Sequence, residues 1–159
     1  MTKNYALITG STAGIGLDIA QELASRGHNI LLTARREDRL KAIAEKLTLD
    51  HGVHADFIAA DLSEPSAPGK IFNFCDSNQY SVNILVNNAG YSINKKFHET
   101  GEEEEEKFLR VLGTGVIALT KRFIPGMLNQ QSGKIMLVSS LAAFAPPATG
   151  WGALYGPVK

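Results

Sequence analysis

Short apolar runs alternate along the chain with longer stretches of helical periodicity. The first run, Tyr-Ala-Leu-Ile-Thr at 5–9, has β-branched content and predicts a buried parallel strand. It breaks at glycines 10, 14 and 16, after which Ile15, Ile19 and Leu23 recur at helical spacing. A helix is expected over about 14–26, with Gly27 as its C-terminal cap and Arg26 facing the negative end of the dipole. A second buried strand is read at 29–34. Glu37 and Asp38 then open a helix whose apolar residues fall at 40, 43, 44 and 47, and Gly52 ends it.

The alternation continues. A third strand is expected over 53–60, closing on Asp61 and Leu62. The stretch 63–69 holds two prolines, so the third helix is expected late, near Lys70. A fourth strand spans 82–87. A long fourth helix is read from Thr100 to about Leu128, with Thr100 and Glu103 as a capping box and the acidic run 102–106 as a solvated first turn. A turn at Ser132-Gly133 leads to a fifth strand over 134–139. An Ala- and Pro-rich loop covers 140–150, and a fifth helix begins at about Gly152.

Strands alternating with helices imply right-handed βαβ crossovers and a doubly wound parallel sheet of about five strands, with helices on both faces. Ligands in such sheets bind beyond the carboxyl ends of the strands, so the polar turns after the five strands should gather along one edge. The 159 residues read as one dinucleotide-binding domain, able to bury roughly 70% of the unfolded surface, without repeat or linker.

Composition narrows the function. Hydrophobic content of 44% and charged content of 20% are ordinary for a globular protein. The formal net charge is zero and no basic stripe is present, which argues against nucleic acid. No apolar run approaches the ~20 residues of a membrane span, and the first strand begins too early for a signal peptide. The single cysteine, Cys75, lies among Ile71, Phe72 and Phe74 and reads as a core residue; a reducing cytoplasm is the expected compartment.

Two stretches carry candidate chemistry. Strand, glycine turn and helix together leave bare backbone N–H groups at a helix N-terminus, where partial positive charge binds phosphate. Glycine is needed there because a Cβ would block the turn or the close approach of a pyrophosphate. The spacing Gly-x-x-x-Gly-x-Gly differs from the usual Gly-x-Gly-x-x-Gly, and a tight strand-to-helix turn is an equal reading of these residues alone. At the other end Tyr155 and Lys159 are four apart, so a helix projects both from one face. A nearby ammonium favours the phenolate and brings a tyrosine, ordinarily near pKa ~10, toward useful acid–base work. Pro157 is comfortable only in a first turn, in keeping with a helix that starts near Gly152.

The turns read, in order, Thr-Gly-Ser-Thr-Ala-Gly-Ile-Gly, Ala34-Arg35-Arg36, Asp61-Leu62, Asn87-Asn88-Ala89-Gly90 and Ser139-Ser140, followed by Tyr155-Gly-Pro-Val-Lys159. This series resembles the short-chain dehydrogenase/reductase family over essentially the whole chain. The resemblance implies a Rossmann-like fold. It implies that Gly10, Ser11, Gly14 and Gly16, with Thr9 at the start, lie on the pyrophosphate side, with Ile15 near the nicotinamide half. Asp61 and Leu62 would lie beside the adenine, and Asn88 would tie strand ends and touch the cofactor. Ala34 takes the place of the family's acid, with Arg35 next to it. An arginine there suits a 2′-phosphate and favours NADP over NAD. The resemblance gives Tyr155 the role of general acid/base. Lys159 lowers its pKa and holds the nicotinamide ribose, and Ser140 hydrogen-bonds the substrate oxygen. The substrate class is a small carbonyl or alcohol, no metal is implied, and homo-oligomers form through the long fourth helix.

Three departures from the family pattern stand out. Leu112 occupies a position where the family commonly has an asparagine of a proton relay, and Gly113 and Gly115 beside it are expected to weaken the helix by about 1 kcal/mol each. The interval from Ser140 to Tyr155 is two residues longer than expected, with Trp151 in the extra loop as a substrate-side or core-covering residue. The chain stops at Lys159, where family members continue, so the domain is expected to be incomplete at its C-terminus with an open sheet edge. Three functions are therefore kept: an NADP(H)-dependent oxidoreductase, an NADP-binding module with little or no turnover, and a non-catalytic interaction fragment.

Overall fold

The computed structural model describes residues 3–144 and 154–159. Five strands form one parallel sheet in the order β3-β2-β1-β4-β5. They are β1 (Lys3–Thr9), β2 (Asn29–Ala34), β3 (Ala55–Ala59), β4 (Tyr80–Asn87) and β5 (Lys134–Leu137). β1 lies at the centre, with Tyr5 opposite Asn29 and Thr9 opposite Thr33, and a register shift between Tyr5 and Ala6 on its β4 side. Chain reversal between β1 and β4 places the second half of the sheet on the opposite flank, which makes a crevice at the carboxyl ends.

Helices cover both faces. α1 (Gly14–Ser25) and α2 (Glu37–His51) pack Ala20, Ala24, Leu40, Ala44 and Leu47 against Ala6, Ile8, Ile30 and Leu32. α3 (Ala67–Ser77), α4 (Glu102–Leu109) and α5 (Gly115–Asn129) cover the other face, where Ile71, Cys75, Phe108, Leu119 and Phe123 meet Tyr5, Leu7 and Leu85. α1 and α2 stop where their glycines fall: Arg26 is the C-cap position before Gly27, and Gly52 caps α2. Cys75 is buried, and burial pushes its thiol up to about 12, so it behaves as a small apolar side chain.

Several predicted boundaries move. α3 starts at Ala67 rather than near Lys70, because Pro68 sits in the first turn, where a missing N–H costs nothing. β4 begins two residues early, at Tyr80, whose hydroxyl donates to Asp56 Oδ2 (2.8 Å) and whose ring stacks on Tyr5 (4.2 Å between centroids). β3 is limited to Ala55–Ala59 and β5 to Lys134–Leu137. Thr100 is not an N-cap. Gly101 holds that position, and the Thr100 hydroxyl instead donates to Phe97 O at 2.7 Å and pairs with the Glu105 carboxylate.

The long fourth helix is continuous from Glu102 to Asn129 but changes winding in the middle. Residues Arg110–Thr114 form a π-helical segment, and the Gly115 N–H bonds back to Arg110 O. A Cβ on Gly115 would lie 2.6 Å from that carbonyl, so glycine is what lets the wider turn close. The expected weakening at this glycine is thus replaced by a requirement for it. This helix also holds an 18-residue window of mean hydropathy 1.3, long and apolar enough to cross a membrane by length and composition, which corrects the reading that no run comes near a span. Its apolar stripe, Phe108, Leu112, Leu119 and Phe123, packs in the core instead.

α6 (Tyr155–Val158) is one turn, closed by Val158 N–H to Leu154 O and Lys159 N–H to Tyr155 O, with Pro157 in it. The expected start at Gly152, Trp151 and most of the 140–150 loop lie outside the described residues.

Candidate functional site

The carboxyl ends of the strands open into one trench made of two adjoining cavities. The larger, about 870 Å³, runs past Thr12, Arg35, Arg36, Asp61 and Leu62. The smaller, about 400 Å³, is lined by Ile15, Asn88, Ser139, Tyr155 and Lys159. Gly10, Ala13, Ala89, Gly90 and Tyr91 line both and form the waist between them.

The waist is built from a close approach of two turns. Thr9, at the end of β1, is 1% exposed and turns its hydroxyl to the end of β4. That oxygen donates to Val86 O (3.3 Å) and accepts from the Asn88 and Ala89 N–H groups (3.0 Å each). The Asn88 side-chain amide returns the tie, donating to Thr9 O at 2.9 Å and Gly10 O at 3.2 Å. A Cβ on Gly16 would come within 2.4 Å of Asn88 Nδ2, and one on Gly10 within 2.8 Å of Ala89 Cα. Those two glycines are required by the packing of the turns. Gly14 differs: it has φ +55° and its Cβ direction is open. α1 begins right there, with Ala13 as an N-cap that offers no side-chain bond. The first-turn N–H groups of α1 therefore have neither helical partners nor a capping side chain, and Ala13 and Ile15 on either side of Gly14 line the trench. This cradle fits the diphosphate of a dinucleotide.

At the end of the trench beside β2, Arg36 Nη2 donates to Thr12 Oγ1 (3.3 Å), which bridges the second-strand turn to the glycine loop. Asp61 accepts from Ser63 N–H at 2.9 Å, which caps the turn after β3, and it also lines the trench. At the far end Lys159 Nζ donates to Val138 O at 2.9 Å and lies beside Gly90, where an added Cβ would meet it at 3.3 Å. Burial lowers the pKa of this ammonium. Ser139 Oγ donates to Lys159 O at 2.6 Å and so ties α6 to the end of β5. Phe108 packs between two phenols, with ring centroids 5.3 Å from Tyr91 and 6.5 Å from Tyr155.

Of the candidate residues, Gly10, Arg35, Asp61 and Leu62 line the larger cavity, and Ile15, Asn88, Tyr155 and Lys159 the smaller. Gly14 stands at the helix start beside them. Ser11 and Gly16 are buried beneath the trench floor, and Ser11 Oγ donates to Thr33 O at 3.4 Å, so neither lines it. Thr9, expected on the pyrophosphate side, faces the β4 turn instead. Ser140 Oγ accepts from Ala142 N–H at 3.2 Å, and Ser139 rather than Ser140 lines the smaller cavity. Sequence reasoning missed Thr12 and Tyr91, for which a single chain carries no periodicity or spacing signal. Thr9 had one: a polar residue ending a buried apolar run needs a partner there.

Known proteins with this arrangement agree with it. The sequence profile of the family described as short chain dehydrogenase matches residues 4–157. The chain is 34% identical over 139 residues to 3-oxoacyl-(acyl-carrier-protein) reductase FabG of Aquifex aeolicus, covering 87% of this chain and 56% of that protein. Its fold superposes on a short-chain dehydrogenase from Sphingobium yanoikuyae in complex with NADPH, with TM-score 0.89, 30% identity, and 99% of this chain and 60% of that one covered. L-sorbose reductase from Gluconobacter frateurii, complexed with NADPH and L-sorbose, gives TM-score 0.91 at 31% identity, covering 99% and 59%. The chain spans about half the length of the curated relatives it matches. With the family profile matched over residues 4–157 and the five strands in the order β3-β2-β1-β4-β5, the chain belongs to the short-chain dehydrogenase family.

Proposed function

We propose that the 159 residues form the dinucleotide-binding unit of an NADP(H)-dependent oxidoreductase that interconverts a small carbonyl and a secondary alcohol. The observation that carries this reading is the single trench with Arg35 at one end, the uncapped start of α1 at its middle and Tyr155 with Lys159 at the other. Arg35 follows β2 where no acid is present, and its guanidinium suits a 2′-phosphate. The relatives solved with NADPH support the same cofactor.

Each residue then has a task. The α1 N–H groups hold the diphosphate, Ile15 lies at the nicotinamide end, and Asn88 holds the strand ends that form the floor. Asp61 and Leu62 border the adenine. When bound, the nicotinamide supplies a hydride to the carbonyl carbon. Tyr155 donates its phenolic proton to the carbonyl oxygen, Ser140 hydrogen-bonds that oxygen, and Lys159 stabilises the phenolate left behind and holds the ribose. Two copies associate through the helix that contains α5. The test is an NADPH fluorescence titration combined with NADPH oxidation across a panel of carbonyls. Arg35→Asp is expected to shift preference toward NAD, and an unchanged NADP/NAD affinity ratio would remove the argument from Arg35.

A second reading rests on Leu112, buried in the core where the family commonly has the relay asparagine. Under it the chain binds NADPH with little turnover. Binding without oxidation across the panel would favour it, and Leu112→Asn would then raise activity.

A further inference from the structure

We infer that Tyr91 contacts the bound dinucleotide at the waist of the trench, its hydroxyl donating to the ribose–diphosphate span that joins the two halves. The inference rests on the dinucleotide-binding reading above. Tyr91 follows Gly90 directly and is one of the residues that line both cavities. Tyr91 is 42% exposed, a large fraction for an aromatic residue beside a core. The residue lines the cleft, and its ring meets Phe108 edge-on at an interplanar angle of 85°. Phe108 is 1% exposed and belongs to α4, so the phenol is carried on a rigid support. A ring fixed on one side and open on the other presents its hydroxyl to whatever occupies the waist.

The charge around it fits a donor. Burial, then Asp61 and Glu104, push the phenol up and keep it protonated at neutral pH, while Arg35 and Lys107 act the other way. Asp61 and Glu104 line the larger cavity alone, whereas Tyr91 lines both and so stands at the waist. The middle of a dinucleotide offers acceptors there: phosphate oxygens and ribose hydroxyls. A neutral phenol makes one such bond without adding charge near the carboxylates.

The test compares the parent chain, Tyr91→Phe and Tyr91→Ala by NADPH titration and by competition with 2′,5′-ADP, with thermal melting as a folding control. Tyr91→Phe keeps the ring and its Phe108 contact and removes only the hydroxyl, so it should melt like the parent. It is expected to weaken NADPH about 5- to 10-fold, the usual worth of one hydrogen bond. Tyr91→Ala should weaken it further. The 2′,5′-ADP fragment, which ends at its first phosphate, should lose less than about half of that factor. NADPH affinity in Tyr91→Phe equal to the parent's overturns the inference alone. So does an equal loss for NADPH and the fragment, which would move the contact to the adenosine end. A parent chain that binds neither ligand overturns this inference together with the proposed function.

Discussion

Thr9 shows how much of the site depends on one small side chain. Its hydroxyl takes two N–H groups from the Asn88–Ala89 turn and gives its proton to Val86, all from 1% exposure. Valine keeps the shape and the β-branching but offers no acceptor. Thr9→Val is therefore expected to cost about 2 kcal/mol or more, since each orphaned buried donor costs about 1–3 kcal/mol. Chemical denaturation measures this, and a loss under about 0.5 kcal/mol, the size of a neutral surface change, would mean that the turn finds other partners. The same variant should loosen the waist and so weaken NADPH, whereas a change at exposed Lys121 should do neither.

At the scale of the element, the interrupted helix is the telling case. In an ordinary helix interior, Gly→Ala stabilises by about 1 kcal/mol. Gly115→Ala should do the reverse and cost about 1–3 kcal/mol, because its Cβ would sit 2.6 Å from Arg110 O. Gly113→Ala is the internal control: the one neighbour near its added Cβ is Val158 Cγ1 at 4.0 Å, an ordinary contact. Denaturation midpoints should move in opposite directions, and a shared direction would show that the π-helical turn is not what Gly115 serves. The turn matters to the site because it holds Leu112 and Val111 against the core while Arg110 Nη1 reaches Ser63 O at 3.1 Å, in the loop that follows Asp61.

Across the whole molecule the sheet is covered unevenly. β1 is enclosed on both faces, while every residue of β5 is exposed, Leu137 at 62%. β5 pairs only with β4 among the described residues, and Leu141 and Phe144 beyond it are 88% exposed. An apolar strand with a free edge invites pairing with another chain. The 159-residue chain on its own is expected to associate beyond the proposed α5 dimer with rising concentration, and Ile135→Lys, which puts a charge on that strand, should return it to the dimer. Light scattering behind size exclusion reads this directly. Identical profiles for the two chains would place this further association elsewhere.

Apolar runs and glycine breaks were enough to determine the order of strands and helices, because burial on both faces of a parallel strand and on one stripe of a helix writes itself into local periodicity. The motif turns were legible for the same reason: polar residues that end buried runs have few other uses. Contacts between distant segments were not legible. The sequence marked Thr9 as needing a partner and Asn88 as a tie between strand ends, but it carries no sign that Arg36 reaches Thr12 or that Ser11 and Gly16 lie under the floor rather than on it. Nor could helical periodicity reveal the π-helical turn, since the one extra residue enclosed by the Gly115–Arg110 bond depends on the space at Gly115. Local spacing specified which elements form. Only their packing decided which side chains face the trench, because that depends on groups far apart in the chain competing for the same few ångströms.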